Sequence, residues 1–337
     1  MDISQYLVNF ADIPYERKSI ERVLTGIQDL DYYFKGLETG ITEILGDTNA
    51  GKSVLVSGFI NKAIEQGYTV GVFAGEHSLI GYKNLVMQQG GAKGHFELVP
   101  FMDNNGNETN IADWYVDEET EKRLNKKYND NLFLFNVEKD ERDIDTILKA
   151  VIHGKQKYGI RFWIFDNLME IRNDNENQWQ EQTSIGTKMR NVFVNNDMFC
   201  VLVMHTNKSD TLRITTRNAF GSSNITNKGY RIGVLYRKDY VFAKKGQEKE
   251  LEKIKQDLAK AGFDYDKCDG WIDIIKSKGN GNGIVGLVYD GDTKSYKQAP
   301  KISKTEADRI YKAIEKKNKK PTLTDWEDLT DEDNPFD

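Results

Sequence analysis

Gly46-Asp47-Thr48-Asn49-Ala50-Gly51-Lys52-Ser53 is the stretch of this chain whose residue types and spacing speak most directly of chemistry. It is a full G-x-x-x-x-G-K-[ST] pattern. The glycines let the backbone wrap closely enough for its N–H groups to face phosphate oxygens, and the N-terminus of a following helix favours their negative charge. Gly46, Asn49, Ala50 and Gly51 then cradle the phosphates, Lys52 reaches the β- and γ-phosphates, and the Ser53 hydroxyl ligates Mg2+. Such a loop requires a second carboxylate at the end of a neighbouring strand to organise the metal. Phe162-Trp163-Ile164-Phe165-Asp166 supplies one, with the acid where an apolar strand emerges. Hydrolysis also requires a group to orient and deprotonate water. Glu76 closes the run Val70–Gly75, where a carboxylate can reach a water in line with a γ-phosphate. His205 closes Phe199–Met204, and a polar group there can sense the γ-phosphate and signal to the next loop; His77, His95 and His153 lack such a placement.

Two further groups carry less by themselves. Asn207–Ser223 is polar and holds Lys208, Arg213 and Arg217, a composition suited to a nucleic-acid phosphate backbone and equally common in loops that are merely solvated. Lys276 and Lys278 are spaced i, i+2, so on a strand they share a face. Two cations there could reach across a subunit boundary to a neighbour's γ-phosphate, or simply guard an edge strand against aggregation.

These residues must be positioned by elements that the hydrophobic pattern makes legible. Ile41–Leu45, Thr69–Ala74, Phe133–Val137, Phe162–Phe165, Phe199–Met204 and Ile232–Tyr236 read as strands. Gly51–Gln66, Ile144–Tyr158 and Gln182–Asn195 read as helices between them. Near-continuous apolar strands alternating with helices predict an α/β fold: a twisted, mainly parallel sheet with helices on both faces. Trp271–Lys276, a glycine-rich turn at Gly279–Gly283, and Ile284–Tyr289 predict an appended C-terminal hairpin. Asp103–Glu119, rich in Asn, Asp and Glu, is expected to be a surface loop or a small helical insertion. Residues 1–20 are expected to form an arm or linker helix, packed on their own domain or docked on a neighbouring subunit. Residues 21–300 form the main domain, and 301–337 a segment ending in a disordered acidic tail.

With 38% hydrophobic and 11% aromatic residues in 337, the chain has enough apolar material for a large core, which excludes global disorder. Two cysteines, Cys200 and Cys268, fit neither a disulfide framework nor a zinc site. No membrane span or signal sequence is visible, so a cytoplasmic location is expected, in the host if the chain is phage-encoded. The net charge of −6 at first argues against nucleic acid, but seven acids and no bases lie between Pro321 and Asp337. Without them the rest is close to neutral, leaving room for local basic loops.

Taken in order, Gly46–Ser53, Glu76, Asp166, His205 and the Lys276/Lys278 hairpin resemble the DnaB-like (superfamily 4) replicative DNA helicases, and within them the helicase half of phage primase–helicases. Leu24-Thr25-Gly26-Ile27-Gln28-Asp29-Leu30-Asp31 with Gly36-Leu37 looks like the segment that leads into the P-loop strand of that family, and Glu76-His77-Ser78 like its Glu-x-Ser motif. The resemblance covers roughly residues 20–300 and implies a RecA-like P-loop NTPase core. It implies Glu76 as catalytic base, Asp166 holding Mg2+ through water, His205 as phosphate sensor, and Arg237 and Tyr289 sandwiching the base of ATP or another NTP or dNTP. Lys276 and Lys278 match cations that act in trans, Lys278 in the place of an arginine finger. Loops after Asp166 and His205 would line a channel for single-stranded DNA in a six-membered ring moving 5′ to 3′ and unwinding duplex at a fork.

Some positions depart from the pattern. A lysine at the finger position lacks the bidentate geometry of arginine. The family's Arg-Gly-Ser segment reads Phe220-Gly221-Ser222 here. No primase domain is expected before the motor, so priming is expected to come from a separate primase or not to be needed. The tail, with Trp326 and Phe336 among its acids, looks like those that dock on a DNA polymerase or another replisome protein. Two other classes share part of the motif set: a RecA/RadA-type recombinase or mediator, and a nucleotide-binding helicase loader or adaptor. The Lys276/Lys278 hairpin and the tail favour the helicase over the first, and the complete catalytic set favours it over the second.

Overall fold

Strands that read as unbroken apolar runs must be covered on both faces, and the computed structural model shows how this is done. It describes residues 20–91, 95–102, 108–136, 142–172, 178–206, 211–214, 229–240 and 247–302. In chain order the elements are α1 (Gln28–Phe34), β1 (Gly40–Gly46), α2 (Lys52–Glu65), β2 (Thr69–Ala74), α3 (Leu79–Gly90), β3 (His95–Met102), β4 (Glu108–Tyr115), α4 (Glu118–Tyr128) and β5 (Leu132–Leu134). They continue with α5 (Ile144–Tyr158), β6 (Ile160–Asp166), α6 (Gln178–Asn195), β7 (Phe199–His205), β8 (Arg231–Arg237), α7 (Glu248–Lys260), β9 (Gly270–Ser277), β10 (Gly283–Asp290) and β11 (Ser295–Gln298).

Nine strands join in one sheet in the order β11-β10-β9-β8-β1-β7-β6-β2-β5. From β8 to β5 every pairing is parallel. From β8 outward to β11 every pairing is antiparallel. The expected parallel sheet with an appended hairpin is what forms, with β11 added at the far edge. The central strands β1, β6, β7 and β8 are almost wholly buried along their length.

Helix α2 buries Leu55, Val56, Phe59, Ile60 and Ala63, the spacing that puts apolar residues on one helical face. Helix α5 does the same with Ile144, Ile147, Leu148 and Val151. Its ends follow from local chemistry: the Asp143 carboxylate accepts from the Thr146 N–H, and Gly159 takes the left-handed conformation that closes the helix. Gly71 is demanded by packing, since a Cβ there would stand 2.5 Å from the Trp163 ring on the adjacent strand.

The structure corrects the sequence reading of Asp103–Glu119. Its middle forms β4, paired antiparallel with β3 in a separate two-stranded sheet, and Glu118 opens α4. Polar composition hid the strand. Strand β5 stops at Leu134, short of the expected Val137, which lies outside the described residues together with 1–19 and 303–337. The proposed N-terminal arm and acidic tail therefore fall there. Among the described residues, no helix is long and apolar enough to cross a membrane.

Candidate active site

The parallel strands β1, β2, β6 and β7 end side by side, and register brings their terminal residues level. Gly46 pairs with His205, and Ala74 with Asp166. The phosphate loop leaves β1 at Gly46 and turns through Asn49 and Gly51, whose φ angles of 64° and 87° are left-handed. Lys52 then opens α2. A Cβ at Gly46 would meet the Leu235 carbonyl at 2.8 Å, so the loop can leave the sheet there only as glycine. The Thr206 hydroxyl donates to the Asp47 carboxylate at 2.5 Å, tying the loop to the end of β7.

Lys52 is nearly buried, and its ammonium donates to the carbonyls of Gly46 at 3.0 Å and Asp47 at 2.8 Å. It also lies 3.2 Å from His205 Nδ1. Burial lowers its pKa to about 8, against the raising pull of Asp166, Glu76 and Asp47. An imidazole nitrogen that accepts from an ammonium leaves its other nitrogen to carry the proton. His205 Nε2 therefore donates to Glu76 Oε1 at 3.2 Å. The same oxygen accepts a 2.6 Å hydrogen bond from Asn167 Nδ2. Asn167 is buried and in turn held by Met169, whose N–H donates to its Oδ1. The sequence reading missed Asn167; its one signal was its place directly after the strand-terminal acid. A continuous chain of contacts thus runs Asn167–Glu76–His205–Lys52–loop.

Asp166 is 1% exposed, and neither of its oxygens has a partner of hydrogen-bonding geometry among the described residues. Burial raises its pKa; the nearby Ser53 hydroxyl and the charges of His77 and Lys52 pull the other way, while Glu76 adds to the rise. An orphaned buried carboxylate facing a serine hydroxyl is a hard-oxygen donor pair, and it fits Mg2+, which takes one or two protein oxygens and completes its shell with phosphates and water. No cluster of three or more His, Cys, Asp or Glu suited to a metal occurs among the described residues.

Arg237 ends β8, and its guanidinium lies 5.8 Å from the ring centroid of Tyr289 on β10. Tyr289 in turn packs against Tyr296 on β11, centroid to centroid 5.4 Å. The Tyr296 hydroxyl donates to the Ala50 carbonyl of the phosphate loop at 3.4 Å. Tyr296 was not singled out from sequence: it sits on a four-residue edge strand that carries no hydrophobic pattern.

The expected trans cations lie at the other end of the sheet. Lys276 is the register partner of Ile232, which is itself the partner of Glu43 on β1. Glu43 is fully buried, and its pKa rises to about 8 through desolvation, with the field of Lys276 the main opposing influence. Lys276 is lowered by burial and supported by Glu43. Lys278 lies just beyond β9, its ammonium 3.9 Å from the ring centroid of Tyr230. Tyr230 bonds backbone-to-backbone with Ile41. Ile41 precedes Gly46 by a strand length of roughly 16 Å. Neither lysine is near the phosphate loop of its own chain.

Of the residues expected to meet DNA, Lys208 and Arg217 lie outside the described residues. Arg213 is committed within its own chain. Its Nε and one terminal nitrogen grip the Asp273 carboxylate at 2.8 and 2.9 Å, and the other meets Asp257 at 2.5 Å. These bonds tie the described stretch 211–214 to β9 and α7.

No protein-family model matches the chain, and no curated protein matches it by sequence. Among solved structures it is similar to a DnaB-like replicative helicase described with its interactions with primase, at a TM-score of 0.60 and 13% identity. That match covers 83% of this chain and 62% of the other, so the chain spans under two thirds of that protein. It is also similar to the ATPase domain of G40P, at a TM-score of 0.61 and 13% identity, over 83% of this chain and 92% of that one. The fold is the RecA-like one shared by these helicase domains.

Proposed function

We propose that this chain is the motor of a ring-shaped replicative DNA helicase, hydrolysing ATP or another nucleoside triphosphate to move along single-stranded DNA and unwind duplex. The observation that supports it most is the unbroken contact chain from Asn167 through Glu76 and His205 to Lys52 at the phosphate loop. Glu76 is fixed from two sides, as a base that must hold a water in line with a γ-phosphate has to be. His205 touches both the base and Lys52, so a change at the γ-phosphate reaches Glu76 through one side chain. Bound phosphates would take over the Lys52 ammonium from the two loop carbonyls that now hold it. Mg2+, held through Ser53 and Asp166, would supply the charge that draws the phosphate oxygens together.

The separation of Lys276 and Lys278 from their own phosphate loop supports a role in trans, on the γ-phosphate of an adjacent subunit in a ring of six. The resemblance supplies the 5′ to 3′ direction. Lys208 and Arg217 would contact the DNA strand, with Arg213 anchoring their loop. The N-terminal arm would dock on the neighbouring subunit, and the acidic tail on a polymerase or another replisome protein, in the cytoplasm. The deciding experiment measures nucleotide hydrolysis against protein concentration, with and without single-stranded DNA, alongside unwinding of a forked duplex. Hydrolysis should rise with assembly, be stimulated by single strands, drive unwinding and vanish in Lys52→Ala. Nucleotide binding with neither stimulation nor unwinding would overturn the motor and favour a loader or adaptor.

A further inference from the structure

The nucleotide site holds one tyrosine that its phosphate chemistry does not use. Tyr296 and Tyr289 are direct cross-strand partners on β11 and β10, so their side chains rise from the same face of the sheet. One side of the Tyr296 ring packs on Tyr289, the flat surface beside Arg237. Its hydroxyl end reaches the phosphate loop at Ala50 and stands so close to Gly51 that a Cβ there would lie 2.7 Å away. A nucleotide with its base on the Tyr289 platform and its phosphates in the loop must pass its pentose through the space between, which is where Tyr296 lies. We propose that Tyr296 reads the sugar of the bound nucleotide through a hydrogen bond with the ribose 2′-hydroxyl, favouring ribonucleotides over 2′-deoxyribonucleotides.

The surroundings are built to hold the ring in place. Gln89, at the end of α3, donates to the Lys294 carbonyl at 2.7 Å and to the Val54 carbonyl at 2.9 Å. It thereby pins the β10–β11 turn to the first turn of α2. Gln88 donates to the Asp292 carbonyl in the same turn at 3.0 Å. The hydroxyl itself is only loosely engaged: 3.4 Å to Ala50 is long for an O–H donor, leaving it free to take a better partner. Burial pushes its pKa up to about 12, so at neutral pH it is a neutral O–H able to donate and accept. A site arranged to hydrogen-bond a substrate hydroxyl discriminates against the analogue that lacks it, because its own polar group is then left unpaired.

This inference rests on the nucleotide site proposed above, and its test separates the two. Calorimetric affinities for ADP and 2′-deoxyADP are measured on the full chain, on Tyr296→Phe and on Tyr289→Leu. The wild type should prefer ADP, and Tyr296→Phe should compress the ratio by about 3- to 10-fold, the worth of one uncharged hydrogen bond. Tyr289→Leu should weaken both ligands by the same factor. An unchanged ratio in Tyr296→Phe, or an equal shift in Tyr289→Leu, would overturn the assignment. A ratio taken within one variant is insensitive to the fraction folded. Binding of ADP requires neither DNA nor hydrolysis, so a shifted ratio in a protein that does not unwind removes the helicase and keeps the sugar reading. Unwinding with an unshifted ratio does the reverse.

Discussion

Two aspartates, each 1% exposed, sit on strands of the same sheet with opposite surroundings. Asp273 on β9 is gripped by two nitrogens of Arg213, whose third meets Asp257. The Asp166 carboxylate at the end of β6 faces the Ser53 hydroxyl and accepts no hydrogen bond of good geometry among the described residues. Burial raises the pKa of both, but in Asp273 the Arg213 guanidinium is the main counterweight, whereas Asp166 has only the Ser53 hydroxyl and more distant charges. The fold itself satisfies the buried charge of Asp273; it leaves that of Asp166 open beside the phosphate loop, as it also leaves the buried carboxylate of Glu43.

That contrast can be broken by substitution. Arg213→Ala strands Asp273 in the core and should cost about 3 kcal/mol of stability, read from denaturant unfolding. Asp166→Asn should do the opposite of harm to the fold: the unfolding midpoint of the nucleotide-free protein stays level or rises, while Mg2+-dependent hydrolysis falls about 10- to 100-fold. Equal destabilisation by the two changes would erase the distinction. A smaller effect sharpens it at Lys52, whose pKa of about 8 belongs to the nucleotide-free site. Phosphate charge raises that pKa, so on triphosphate binding Lys52 should take up as much as about one proton near pH 8.5 and close to none at pH 6.5, where the exchange left is that of the terminal phosphate itself. Calorimetry in buffers of different ionisation enthalpy would show it, and Lys52→Arg should lose the uptake, since arginine stays charged throughout.

The same contrast explains what could be seen in the sequence. Gly46–Ser53 and Asp166 were legible because each is a local pattern, a spacing or an acid ending an apolar run. Helix Ile144–Tyr158 and strand Thr69–Ala74 were legible to the residue, because apolar period and capping residues agree there. The pairing of Arg213 was not legible because its partner Asp273 lies 60 positions away, and no local feature marks it. Asn167 and Tyr296 escaped notice for a related reason: each matters through what a distant segment places beside it, Glu76 in one case and the phosphate loop in the other. Strand β4 was hidden by the polar composition of the Asp103–Glu119 stretch in which it lies.

The level pairing of Gly46 with His205 and of Ala74 with Asp166 also says which changes this protein can absorb. Substitutions inside these strands alter packing and leave the reactive groups in line. Adding or dropping one residue in β7 would move His205 about 3.3 Å along the strand and turn it to the opposite face. Strand length is therefore a constraint in its own right, beside the residue type that packing fixes at positions such as Gly46 and Gly71.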